Sequence, residues 1–140
     1  MYVLLDPKSN VPIYEQIIRQ VRERIVQGIV RPGEKVPSIR ELSAELAINP
    51  NTVSKAYKEL ERLGIFVTYR GKGTFINEEI EHLSSEKDIL KLKEVAKELV
   101  IDSIYNGIGL DKLMEWIEEY YLEMEGRSND QGRGSNEENK

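Results

Sequence analysis

The chain has 140 residues, of which 39% are hydrophobic and 32% charged, and none is cysteine. This length suits one domain of roughly 100–150 residues, or a small domain with an appendage, and it excludes barrel and doubly wound enzyme folds, since a barrel needs about 200 residues or more. Without cysteine, disulfides and thiolate zinc sites are excluded, and the single histidine, His82, excludes a two-histidine metal site.

The charge is distributed unevenly along the chain. The formal net charge is −5, but residues 1–77 hold 12 basic and 8 acidic side chains, whereas residues 78–140 hold 8 basic and 17 acidic ones. Such asymmetry indicates a basic working module joined to an acidic appendage. The sequence has neither a signal-peptide pattern nor a stretch of roughly 18 apolar residues, so we expect a small soluble cytoplasmic protein without membrane contact.

The first predicted helix follows an extended segment that ends near Asn10. From Ile13 to Val26, apolar residues recur at helical spacing, and the opposite face is rich in arginine. Gly28 is typical of a helix C-terminus, and Arg31-Pro32-Gly33-Glu34 has the residue types of a turn.

Two short helices are predicted next. Ser38 with Glu41 matches a capping box, which marks a helix start. Asn49 before Pro50 marks a second start, because asparagine caps helices well and proline is favoured at the first helical position. The second helix, which ends at Gly64, is predicted to bury Val53, Ala56, Tyr57, Leu60 and Leu63. Two helices joined by so short a turn form a helix-turn-helix.

A β-hairpin completes the basic module. Residues 65–69 are rich in β-branched and aromatic side chains, residues 70–73 form a turn, and residues 74–76 return as a second strand. Three helices followed by a hairpin predict a winged helix-turn-helix. The predicted fold class is therefore α+β and mostly helical.

The remainder of the chain is predicted to add two helices and a tail. Apolar residues recur at helical spacing from Ile89 to about Tyr105 and again from Leu110 to Met124, with a break at residues 106–109. Residues 126–140 lack aliphatic and aromatic side chains and are predicted to be disordered. The predicted boundaries are 1–77 for the winged domain, 78–125 for the two helices and 126–140 for the tail.

The motifs of the basic module resemble the GntR family of bacterial transcription regulators. The matching segments are residues 32–42 (PGEKVPSIREL), 49–57 (NPNTVSKAY), 64–67 (GIFV) and 70–76 (RGKGTFI). The resemblance covers about residues 10–77, and the short two-helix part is similar to the YtrA-type subfamily by its length and helix count. It implies a sequence-specific DNA-binding repressor, and for the subfamily the control of a transporter operon.

The candidate DNA-binding residues lie on the helix-turn-helix and at the hairpin tip. The second helix of this motif enters the major groove with its N-terminal residues nearest the base edges, and here that helix carries no acid before Glu59. In the family, the residue that matches Arg40 is a principal DNA contact. For Asn49 and Ser38, the alternative to a DNA contact is a role as helix caps alone. Asn51 is not needed as a cap and is favoured as a DNA contact. At the hairpin tip, the alternative is a plain turn without DNA contact. The candidates are Ser38, Arg40, Asn49, Asn51, Thr52, Ser54, Lys55, Arg70, Gly71, Lys72 and Gly73.

The two C-terminal helices predict a dimer interface. They are too short to bury both apolar faces against each other, so the faces either pack on the winged domain or form a two-fold homodimer, which the family resemblance favours. The candidate interface residues are Leu92, Ala96, Leu99, Leu113, Trp116, Ile117 and Tyr120.

The functional prediction is a homodimeric repressor of a palindromic operator, with double-stranded DNA and a second copy as partners. The alternative is a winged helix that binds proteins without specific DNA recognition. No catalytic residue, metal site or cofactor is expected. An unidentified small-molecule effector would need a pocket of about 300 Å³ or more, which two helices offer only at a dimer interface.

Overall fold

The computed structural model describes residues 1, 3–80 and 84–133, with side chains up to residue 126, and it divides into the units Met1–Ile80 and Glu81–Lys140. The first unit contains three helices and a two-stranded antiparallel hairpin: α1 Ile13–Val26, α2 Ile39–Leu46, α3 Pro50–Arg62, β1 Phe66–Tyr69 and β2 Gly73–Ile76. This is the predicted winged helix-turn-helix, and the fold class is confirmed.

Two glutamines attach the N-terminal segment to α1. The Gln16 side chain accepts a hydrogen bond from the backbone N–H of Asp6 and donates one to its carbonyl, both at 2.9 Å. Gln20 accepts the N–H of Leu4 at 2.7 Å. These amides replace the backbone partners that an extended segment outside a sheet would lack. Val3 is thereby held in the core.

Both predicted caps of the helix-turn-helix are confirmed. The Ser38 hydroxyl accepts the N–H of Glu41 at 3.0 Å, and Asn49 Oδ1 accepts the N–H of Asn51 at 2.8 Å. The chain reverses between the two helices at Ala47, which has a left-handed φ of 53°. Glycine adopts this conformation more easily than alanine, so the turn carries a small strain.

The hairpin, which we call the wing, pairs along its outer edge with a third segment of the chain. Phe66 pairs with Ile76 in the antiparallel register, and Lys35, from the segment before α2, pairs with Phe75 on the other edge of β2. The N–H of Val36 donates to the Thr74 carbonyl at 2.9 Å. The wing is thus fixed to the chain that leads into α2.

Tyr57 lies at the centre of the first unit. Its ring meets that of Phe66 edge to face, with 5.0 Å between centroids, and its hydroxyl donates to the Pro37 carbonyl at 2.6 Å. Burial is the main cause that raises the pKa of Tyr57, so the hydroxyl remains a donor at neutral pH. One residue thereby joins α3, the start of α2 and the wing.

One predicted core residue is not buried. Leu63 is 39% exposed, because it follows the last residue of α3 at the edge of the buried face. The prediction that Leu63 lies in the core is therefore wrong.

The second unit consists of two long helices, α4 Glu86–Tyr105 and α5 Leu110–Arg133. A capping box between Ser85 and Asp88 starts α4; the sequence pattern missed it because aspartate replaces the usual glutamate or glutamine. The helix α5 continues to Arg133, past Gly126, where the disordered tail is predicted to begin. An established helix gains a backbone hydrogen bond with each added residue, so polar residues can extend it. Residues 134–140 lie outside the described residues.

The two helices of this unit pack little against each other. Ser103 and Leu113 are buried near the connection between them, and most other apolar side chains of α4 and α5 are exposed. Among the described residues, no helix has both the length and the apolar character needed to cross a bilayer.

Replacing Tyr57 by phenylalanine tests its bridging role. Tyr57→Phe should lower the free energy of unfolding by about 1–2 kcal/mol, because the half-buried Pro37 carbonyl loses its donor. Urea denaturation at fixed protein concentration measures this. Tyr69→Phe, at an exposed position of β1, is the matched control and should change stability by less than about 0.5 kcal/mol. Equal losses in the two variants would contradict the bridging role.

Candidate nucleic-acid interface

The amino-acid spacing divides α3 into an inward and an outward face. The inward residues, all buried in the core, are Val53, Ala56, Tyr57 and Leu60. The opposite face carries four exposed polar residues at spacings of four, three and four, which we call the outward stripe: Asn51, Lys55, Lys58 and Arg62. Thr52 and Ser54 flank this stripe and are half-buried. Packing of the inward face therefore determines which side chains α3 presents to solvent.

The first two turns of α3 present no negative charge. The first turn has no acidic residue, and the first acid along the helix is Glu59. The Arg62 guanidinium donates to Glu59 at 2.9 Å, and this hydrogen bond holds the pKa of the Glu59 carboxyl below its ordinary value. Arg62 thus neutralises the Glu59 carboxylate near the C-terminal end of α3. The N-terminal half of the outward stripe is therefore suited to an anionic partner.

The two cap residues use their side-chain oxygens within the fold. Ser38 and Asn49 each accept a backbone N–H, as described above, so both side chains cap a helix. The Asn51 side chain is exposed one helical turn before Lys55. Arg40 is exposed in the first turn of α2, a helix that packs against α3.

The wing tip is basic and tightly turned. Arg70, Gly71 and Lys72 are exposed, and the N–H of Lys72 donates to the Tyr69 carbonyl at 2.9 Å to close the turn. Gly71 has a φ of 79° and Gly73 a φ of 113°, which L side chains rarely adopt. The shape of the turn therefore requires glycine at both positions, whether or not the backbone approaches a ligand closely.

A short hydrogen-bond chain fixes the wing to α3. The Thr68 hydroxyl donates to Glu61 Oε1 at 2.6 Å and lies 3.1 Å from the Thr74 hydroxyl across the hairpin. Thr68 and Thr74 are directly paired in the register. The orientation of the wing relative to the outward stripe is therefore set by bonded side chains as well as by the core.

The sequence motifs missed a third cation at the wing. The Lys35 side chain lies across Gly73, so that a Cβ on this glycine would stand 2.8 Å from Lys35 Cε. Lys35 is exposed and joins Arg70 and Lys72 on the hairpin. No local pattern could identify it, because its neighbour Gly73 is far away in the sequence.

The predicted dimer residues lie mostly on uncovered faces of α4 and α5. Leu92 is 69% exposed and Tyr120 is 64% exposed. Four others are exposed as well: Ala96, Leu99, Trp116 and Ile117. Leu113 differs, because it is already buried within the chain and offers little surface to a partner. Within the part of the chain that the structure describes, no cluster of three or more histidine, aspartate or glutamate residues could hold a metal ion.

Comparisons with known proteins agree with this architecture. The family described as "Bacterial regulatory proteins, gntR family" matches residues 13–76. The HTH-type transcriptional repressor YtrA of Bacillus subtilis is 50% identical over 124 residues, which cover 89% of this chain and 95% of that protein.

Two solved structures from Listeria monocytogenes extend the comparison. One, described as a transcriptional antiterminator, superposes with a TM-score of 0.83 at 40% identity and covers 89% of this chain and 92% of its own. The other, a GntR family transcriptional regulator, has a TM-score of 0.61 at 35% identity and covers 82% and 98%. These similarities extend through both units.

Alanine at the two wing glycines should separate backbone strain from the contact with Lys35. Gly71→Ala adds only the left-handed φ penalty, about 1–2 kcal/mol, because nothing lies within 4 Å of its Cβ. Gly73→Ala should cost more, because its φ of 113° lies outside the left-handed region that alanine can adopt; the added Cβ meets only the flexible far end of the exposed Lys35 side chain, so adding Lys35→Ala should recover little of the loss. Urea denaturation of the three variants measures this. Full recovery in the double variant would contradict the backbone origin of the loss.

Proposed function

Because this chain belongs to the GntR family of bacterial regulatory proteins, we propose that it represses transcription as a homodimer bound to a palindromic operator. The resemblance stated from the sequence motifs is confirmed, and with it the assignment as a DNA-binding transcription regulator rather than an enzyme. The homodimer, the form of the operator and the residue roles are the proposal. The observation that carries it is the acid-free N-terminal half of the outward stripe on α3.

DNA recognition centres on α3 and its neighbours. The N-terminal part of α3 enters the major groove, where the Asn51 amide reads an adenine edge and Thr52 and Ser54 reach bases or phosphates. Arg40, at the start of α2, contacts a guanine or a phosphate beside it. Lys55 neutralises a phosphate, and these contacts fix the register of the protein on the duplex.

The wing adds sequence-independent affinity. Arg70 and Lys72 at its tip, with Lys35 across Gly73, place three cations on one hairpin, where they neutralise phosphates or enter the minor groove. Gly71 allows the backbone to approach the duplex closely. Ser38 and Asn49 contribute through the helix starts that they cap, since backbone N–H groups at such ends attract phosphate.

The second unit supplies the dimer. Leu92 and Leu99 are one heptad apart on α4, and Trp116 and Tyr120 lie one turn apart on α5; all four are exposed. Helices whose apolar faces remain uncovered gain most by packing against another chain, and an isologous two-fold interface covers the same faces on both copies. The seven residues named from the sequence form this interface, with Leu113 contributing as support beneath it.

The proposed regulatory context has three parts: a two-fold operator, a transporter operon as its target and an effector. Two-fold symmetry places two α3 helices about 34 Å apart, or a multiple of that, on the two half-sites of a palindrome in the bacterial cytoplasm. Resemblance to the YtrA-type group supports a transporter operon as the target. An unidentified small-molecule effector would bind between the paired second units, where the two chains together can enclose a pocket.

Selection from a random duplex library tests the specific DNA recognition. Enrichment of a palindrome by the full chain at near-physiological salt is expected. Arg40→Ala and Asn51→Ala should each weaken binding to the enriched duplex by about 1–3 kcal/mol and relax the sequence preference, because a base contact is lost. Lys72→Ala should weaken binding to all duplexes alike and reduce the salt slope by about 1.

Lys93→Ala, an exposed lysine of α4, is the matched control and should leave DNA binding unchanged. Unaltered binding in both Arg40→Ala and Asn51→Ala would refute the proposed docking of α3. A failure to enrich any sequence would instead favour a winged helix that binds another protein.

Introducing charge on the apolar face of α4 tests the dimer. The chain should sediment as a dimer at micromolar concentration, and the double variant Leu92→Glu, Leu99→Glu should sediment as a monomer, because burying four carboxylates in one interface is too costly. Lys91→Glu, on the polar face of the same helix, introduces the same side chain and should remain dimeric. Trp116, the only tryptophan, reports the change through its fluorescence. A monomeric wild-type protein would refute the homodimer.

A further inference from the structure

One cation of the outward stripe does not extend freely from its helix. The Lys55 ammonium lies 3.9 Å from the centroid of the Tyr14 ring, a cation–π geometry. Tyr14 belongs to the first turn of α1, outside the helix-turn-helix and the wing. A residue that is absent from every DNA-binding motif of the chain thus contacts a proposed DNA-binding side chain.

The Tyr14 ring is itself held in place. It is half-buried and packs against the core, and α1 lies against α3. The hydroxyl donates to Glu15 Oε1 at 3.1 Å. The ring therefore moves with the framework of the first unit, whereas an unsupported lysine would sample many rotamers.

This arrangement has a consequence for binding. A free lysine loses rotamer freedom when it engages a phosphate, and the affinity falls accordingly. A lysine already restricted by an aromatic face loses less, which is preorganisation. The pair itself is present in both the free and the bound protein, so only the saved side-chain ordering contributes to affinity, and ordering one long side chain corresponds to about two- to tenfold in an equilibrium constant.

We propose that Tyr14 is a positioning residue for DNA binding, whose ring orients the Lys55 ammonium toward the phosphate backbone. The inference rests on the proposed role of α3 in DNA recognition. It gives α1 a part in the interface that the helix-turn-helix pattern does not assign. Tyr14 acts through Lys55 and needs no DNA contact of its own.

A double-mutant cycle tests this on the full chain. The probes are the duplex enriched from the random library and a duplex of random sequence, with affinity measured by fluorescence anisotropy at about 0.15 M salt. One phosphate contact contributes about fivefold at this salt, so Lys55→Met should weaken binding by about that factor. Tyr14→Leu should weaken it by about two- to fivefold, which is part of the cost of ordering the lysine side chain. Tyr14→Phe, which keeps the ring and loses only the hydroxyl, should bind like the wild type.

The coupling between the two residues separates positioning from a merely structural effect. In the Lys55→Met background, Tyr14→Leu should have no further effect on binding. A loss of the same size in both backgrounds would overturn the proposal, and so would unchanged or tighter binding by Tyr14→Leu. If Lys55→Met alone binds as tightly as the wild type, then the proposed role of Lys55 fails, which is a different result.

A direct observation of the contact covers the case in which Tyr14→Leu does not fold. The ring current of Tyr14 should shift the Lys55 ε-methylene proton resonances upfield in the free protein. The shift should persist in Tyr14→Phe. Resonances at ordinary lysine positions in the wild type would overturn the proposal without any further variant.

Discussion

The buried contact of Tyr57 is the interaction on which the remainder of the winged unit depends. Its hydroxyl bonds the carbonyl of Pro37, one residue before the cap of α2, while its ring meets Phe66 at the start of the wing. Since the outward stripe lies opposite this buried face, the same packing decides which polar residues α3 exposes. The geometry of the surface proposed to bind DNA is thus set from the interior.

Charge acts locally in this chain. The net charge is −5, yet the acid-free half of α3 and the cations near the wing tip lie in the half where basic residues outnumber acidic ones. Glu59, the first acid on α3, is paired with Arg62. Electrostatic attraction falls off within about 10 Å at moderate salt, so the charges close to a bound phosphate count for more than the net charge of the whole chain.

The second unit is stabilised differently from the first. The first unit buries a continuous core, whereas α4 and α5 pack little on each other and expose residues such as Leu92 and Trp116. A helix gains most of its stability by covering an apolar face, because propensity alone contributes little. The proposed second copy would provide this cover.

The sequence alone determined what depends on neighbours a few residues away. The caps Ser38 and Asn49 and the breaks between elements could be read from it, because caps, turns and helical periodicity are local. Only the tertiary structure decided the exposure of Leu63, the contact of the Lys35 side chain with Gly73 and the cation–π contact between Lys55 and Tyr14. These depend on residues far apart in the chain, whose approach follows from how the elements pack and leaves no local pattern.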